Sequence, residues 1–159
     1  MTVNNLQTFE GDLLLEDTPD GGDIRIEDGL FVSDRSFRTV AYLSLFGGNK
    51  EDNGKVWNRK TWWGNTLRGV SESQKLISRF QAIIHGLPMT TKNILDAEDA
   101  ARLDLKWMAD DGIADAIIVN GRAVSHSRFE LEVQINAKGN SLFRHTYALF
   151  WKAGSNGKV

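Results

Sequence analysis

The spacing of apolar residues along this chain changes its period twice, and each change marks a different kind of element. The first stretch, FEGDLLLEDTPDGGDIRIED (9–28), places two short runs of mixed apolar and acidic residues around Pro19, Asp20, Gly21 and Gly22. Those four residues carry the chemistry of a tight turn, so 9–28 predicts an N-terminal β-hairpin. From Ser33 or Asp34 the period becomes helical: Phe37, Val40, Ala41 and Ser44 fall on one stripe with Leu45 beside it, and Gly47–Gly48 end the helix. A second helix is expected near Ser71, where Ser71 and Gln74 have capping-box spacing. Its stripe is Leu76, Ile77, Phe80, Ile83, Ile84 and Leu87, and Gly86 and Pro88 close it. A third is expected from about Thr91 to Asp110. Ile94, Ala97, Ala101, Leu105 and Met108 form its stripe, Leu103 and Trp107 widen it, and Ala97, Ala100 and Ala101 permit close helix packing.

After Gly112 the period is two. AIIV (116–119) is a short apolar run, and FELEVQI (129–135) sets Phe129, Leu131, Val133 and Ile135 opposite Glu130, Glu132 and Gln134. SLFRHTYALFW (141–151) puts Phe143, Tyr147, Leu149 and Trp151 together, with Ala137–Asn140 as the turn before it. Asn120–Gly121 reads either as a hairpin turn or as an interruption. The sum is an α+β fold: an N-terminal hairpin (9–28), a helical part (34–110) and a small antiparallel sheet (114–151) carrying three helices on one face.

Composition narrows the function. At 159 residues, 41% hydrophobic and 25% charged, the chain fits one domain spanning 1–159, able to bury about 70% of its unfolded surface. A net charge of −2 gives no basic field for nucleic acid. The absence of cysteine removes disulfides, thiolate catalysis and Cys-based zinc sites. No apolar run is long enough to span a membrane, and MTVNNLQTFEGD lacks the pattern of a signal peptide, so a cytoplasmic site of folding is expected.

Chemistry is harder to find. His85, His126 and His145 lack metal-ligand spacing, and His145 reads as a core or boundary residue of its strand. The acids Glu10, Asp12, Glu16, Asp17, Asp20 and Asp23 read as a solvated face rather than a cation site. Asn49, Glu51, Asn53 and Gly54 echo a calcium loop, but Lys60 stands where such a loop needs its bidentate glutamate. Nucleophile, phosphate-loop and dinucleotide motifs are absent. Asp110–Asp111 is the nearest approach to a carboxylate pair, and adjacent helical residues diverge by about 100°. No catalytic residue, metal ligand or cofactor is therefore expected.

The feature that stands out is RKTWWGNTLRG (59–69). Burying one Trp removes on the order of 200 Å² from water, about 5 kcal/mol. Side chains of adjacent residues diverge, so Trp62 and Trp63 do not easily enter one side of one core. Either one anchors the loop to the helices while the other caps its edge, or one is an interface anchor beside Arg59.

FRTVAYLSLFGGN (37–49), TWWGNTL (61–67) and LDLKWMADDGIADAIIV (103–119) occur in this order in the Mu-type phage tail protein family, which the chain resembles from GDLLL (11–15) to YALFW (147–151). That family is similar to the small baseplate wedge protein of T-even phages, which carries an older lysozyme-like label. The chain departs from it in two places: VSESQKLISRF (70–80) lacks a glycine-serine pair and a tryptophan, and the Glu-Pro-Arg tripeptide of the T-even relatives is missing. The resemblance implies a fold like the inner domain of the contractile sheath subunit and a structural role in the baseplate of a virion tail, assembled in the host cytoplasm. It also implies six copies per particle, wedge proteins and tail sheath subunits as partners, and initiation of sheath polymerisation by accepting strands from the sheath. Nucleic acid and membrane are not among the expected partners. For strand acceptance the 141–151 edge is favoured, with Phe143, Tyr147 and Trp151 as its protein-binding aromatics. The alternatives are a peptidoglycan-cleaving, lysozyme-like enzyme and a cytoplasmic adaptor.

Overall fold

The computed structural model describes residues 11–18, 21–34, 37–48, 65, 67–69, 71 and 75–151. The fold is α+β, as the periodicity indicates. Its main sheet is built from β7 (Ala116–Ala123), β8 (Arg128–Ala137) and β9 (Asn140–Phe150), antiparallel and in that spatial order. Odd-numbered residues of all three strands point to one face, where Val119, Phe129, Leu131, Val133, Ile135, Phe143, Tyr147 and Trp151 are buried. The turn between β8 and β9 is the expected one. Ala137 pairs with Asn140, and Lys138 and Gly139 have φ of 51° and 75°. Two consecutive positive φ values make a two-residue turn whose twist suits a hairpin. A one-residue register shift follows between Ile135 and Asn136. β7 continues to Ala123, so Asn120–Gly121 is neither turn nor break but interior strand.

Three helices cover the buried face. α1 (Arg38–Phe46) buries Ala41, Ser44 and Leu45 as expected, and Thr39 as well. It starts later than the periodicity indicates. Ser33–Asp34 form a strand paired with Asp12–Leu13, so their backbone groups are satisfied across a ladder and not by a helix.

α2 (Arg79–Gly86) likewise starts late, at a different cap. Ser78 accepts the Gln81 N–H at 3.0 Å, in the same Ser-x-x-Gln spacing as Ser71–Gln74, seven residues on. Leu76 and Ile77 therefore precede the helix, and Leu87 is exposed. α3 (Thr91–Leu105) begins at Thr90, whose hydroxyl accepts from Asn93 N at 3.2 Å, and buries Ala97, Ala100, Ala101 and Leu105. The expected third helix is broken at Lys106; a one-turn α4 (Trp107–Asp110) follows, with Met108 buried and Gly112 at φ 71°. Leu103 lies outside the stripe at 54% exposure, and Trp107 sits at the rim with its indole N–H on Ser44 Oγ at 3.1 Å.

The N-terminal part is more elaborate than one hairpin. β2 (Leu15–Thr18) pairs with β3 (Gly21–Ile24), a hairpin as expected, except that Gly21 and Gly22 belong to the strand, opposite Thr18 and Asp17, and not to the turn. β4 (Ile26–Glu27) pairs with β5 (Leu30–Phe31) across Asp28 and Gly29, both at positive φ. β1 (Asp12–Leu13) pairs with β6 (Ser33–Asp34). The three ribbons meet where Leu14 N donates to Val32 O and Arg25 N to Leu14 O. Thr39 ties this layer to α1, donating to Leu13 O and accepting from Leu15 N.

Candidate functional site at the open edge of the main sheet

In an antiparallel ladder the N–H and C=O of alternate residues point away from the partner strand. On β7 those outward groups belong to odd residues. Val119 O accepts from Arg102 Nη2 at 2.8 Å, and Gly121 N–H donates to Glu98 Oε1 at 2.7 Å. Glu98 and Arg102 are one turn apart on α3 and bonded to each other at 3.2 Å. This helical pair satisfies two of the outward groups at the middle of β7, so a strand could add along that edge only by displacing it. Gly121 makes this contact possible: a Cβ there would stand 2.6 Å from the Phe129 ring and 3.1 Å from Glu98 Cγ.

β9 is the opposite edge. Its odd residues bond β8, as Trp151 N–H does in reaching Ser127 O at 2.9 Å, and its even residues face outward. Among the described residues, no hydrogen bond reaches the backbone of Arg144, Thr146, Ala148 or Phe150 from outside the sheet. Beside this stretch runs a groove of about 380 Å³, bordered by Leu15, Arg38, Tyr42, His145 and Tyr147. Tyr42, His145 and Tyr147 supply its aromatic side, with the His145 and Tyr147 centroids 4.6 Å apart. His145 is half-buried between strand neighbours, the boundary position its place on the apolar face indicates.

The solvent face of the sheet is a charge ladder. Arg122 Nε bonds Glu130 at 2.8 Å and Arg144 Nε bonds Glu132 at 2.8 Å. The Arg144 guanidinium holds the Glu132 carboxyl below its usual range, so this acid has no proton to donate at neutral pH. Asp110 is bonded by Lys106 on an exposed helix end, and Asp111 is exposed beside it. Among the described residues there is no cluster of three or more His, Asp or Glu able to hold a metal.

The expected binding residues divide into two sets. Phe143, Tyr147 and Trp151 are core residues, 7%, 2% and 2% exposed, and Trp151 Nε1 donates to Leu87 O at 2.7 Å. Their alternation sends them under the helices, so as side chains they are not available to a partner. What β9 presents instead is its main chain. Trp62, Trp63 and Arg59 lie outside the described residues. Asn65, two residues beyond Trp63, is buried and exchanges both amide bonds with Leu76, at 2.7 and 2.9 Å.

Three participants escape a periodicity reading: Glu98 and Arg102, whose i, i+4 spacing is the ordinary mark of a solvated helix face, and Gly121. The available signal was a glycine inside an otherwise regular strand, which marks close approach of another group. No family model, curated protein or solved structure matches this chain. Among the described residues no helix is long and apolar enough to cross a membrane.

Proposed function

We propose that this chain is a structural subunit of a contractile-tail baseplate wedge, which starts sheath polymerisation by taking an extended strand of a sheath subunit onto β9. The observation that carries the proposal is the asymmetry of the sheet: the middle of one edge is bonded by Glu98 and Arg102, and the other offers a run of outward N–H and C=O groups beside a groove. Strand addition uses main-chain bonds for affinity and alternate side-chain pockets for register. The ordered motifs FRTVAYLSLFGGN, TWWGNTL and LDLKWMADDGIADAIIV support the same reading. The proposal includes six copies in the tail baseplate, other wedge proteins as neighbours, and no hydrolase activity.

Thr146→Pro and Ala148→Pro test it, because each removes an outward donor and leaves the β8 ladder intact. Both variants should fold and melt near the parent temperature yet fail to nucleate purified sheath subunits. In assembled particles the Thr146 and Ala148 amides should exchange hydrogen slowly, and in the free protein quickly. Normal sheath growth on both variants rules this site out. Murein lysis by the purified chain in a turbidity assay would favour the enzymatic alternative.

A further inference from the structure

The charges of this chain are not evenly spread. Residues 1–34 hold nine Asp and Glu against one Arg, and residues 35–159 hold twelve against eighteen Lys and Arg. A chain of net charge −2 is thus an acidic N-terminal layer joined to a basic remainder. Most carboxylates of the remainder that can be followed have a cation at hand: Asp104 with Arg79, Asp96 with Lys92, Glu98 and Asp99 with Arg102, Glu130 with Arg122, Glu132 with Arg144. In the N-terminal layer Glu27 meets Arg25 at 2.5 Å, whereas Asp12, Asp23 and Asp28 are exposed and in no ion pair among the described residues.

The same layer carries its apolar residues outward. Ile26 and Phe31 face each other across the β4–β5 ribbon, and they are 58% and 53% exposed. Leu30, on the other face of the ribbon, is 65% exposed. Among the described strands, β4 and β5 pair only with each other. A two-stranded ribbon with apolar pairs on the surface needs another surface to pack on.

The main sheet offers the complementary surface. Val124, Arg128, Leu149 and Phe150 border a shallow cleft of about 130 Å³ at the end where β8 begins and β9 finishes. Phe150 is 65% and Val124 52% exposed. Arg128 lies 5.1 Å above the Phe150 ring and has no carboxylate partner among the described residues. Glu130 also lines the cleft but is turned to Arg122. Apolar side chains with surplus acid on the ribbon thus match apolar side chains with a surplus base at the cleft.

We infer that the β4–β5 ribbon of one copy docks in the Val124–Arg128–Phe150 cleft of a second copy, joining the chains head to tail. The two surfaces differ, so the contact is heterologous, and repeating it gives a ring or an open row. The inference does not rest on the proposed function, since it uses side chains of the ribbon and cleft, although the cleft adjoins the Ala148–Phe150 end of β9.

Sedimentation velocity on the purified chain reads it. At about 20 mM salt, where screening is weak, heavier species should grow with concentration, and about 500 mM salt should reduce them. Ile26→Ser with Phe31→Ser, and separately the surface change Arg128→Glu, should each weaken association about tenfold or more. Each should also keep the circular dichroism and melting temperature of the parent. Asp28→Lys mixed with Arg128→Glu should associate more than either alone, because the new Lys then meets the new Glu. A chain that stays monomeric at low salt overturns the inference. So does association that survives Arg128→Glu, or a mixture no heavier than its components.

Discussion

Asp104 shows how one residue can join two helices at some cost to itself. Its side chain has no exposed surface, yet it accepts the Phe80 N–H at 2.9 Å and Arg79 Nη1 at 3.0 Å, so a carboxyl on α3 closes the first turn of α2. Burial pushes its pKa above 3.8, and the hydrogen bonds from Phe80 and Arg79 pull against that rise without cancelling it. The folded chain therefore holds the proton more tightly than the unfolded chain. Asp104's contribution to stability is greatest below pH 3.8 and declines as pH rises through the raised folded value. Urea denaturation across that interval should show a falling component in the parent that is missing in Asp104→Asn. Equal slopes in the two proteins would show that another group is responsible. Asp104→Ala, which leaves the Phe80 N–H buried without its acceptor, should cost about 1–3 kcal/mol at neutral pH. None of this was legible in the sequence, where Asp104 is one acid in a helix rich in them. Gly48 has a second role that periodicity does not reveal. It follows the end of α1 as expected, and a Cβ there would stand 2.1 Å from Leu76 O, so its small size also serves packing against the segment before α2.

At the scale of elements, the alternating strands were the most legible part, because alternate burial has no competing explanation over ten residues. Helix ends were the least legible. Two Ser-x-x-Gln spacings precede the α2 stripe, and nothing local distinguishes them. The choice falls to Ser78 because it is fully buried and its hydroxyl also donates to Leu45 O, a tertiary bond tying α2 to α1. Ser78→Ala should therefore lose both the cap and that bond, about 1–2 kcal/mol or somewhat more. Thermal melts of the parent and Ser78→Ala check this, and an unchanged melting temperature would mean that neither bond holds α2 in place. The start of α1 was hidden for the same reason. Ser33 and Asp34 are good helix-capping types, but the ladder to β1 lies far away in sequence.

At the scale of the molecule, the two-layer arrangement follows from the strand periodicity, and the distinction between the sheet's edges does not. It depends on where α3 crosses β7, which brings Glu98 and Arg102 to Val119 and Gly121. Replacing both clamp residues by Ala should expose that edge. The Gly121 amide should then exchange faster, and light scattering should show species that grow with concentration. Unchanged protection at Gly121 would mean that something other than the clamp guards the strand. In the vocabulary of polymer chemistry, the proposed function makes the main sheet monofunctional toward strand pairing. A unit with two reactive ends lengthens a chain, whereas a unit with one can only begin or finish it. The clamp thus sets how many strands the sheet can take, and removing two side chains would turn a terminus into a link.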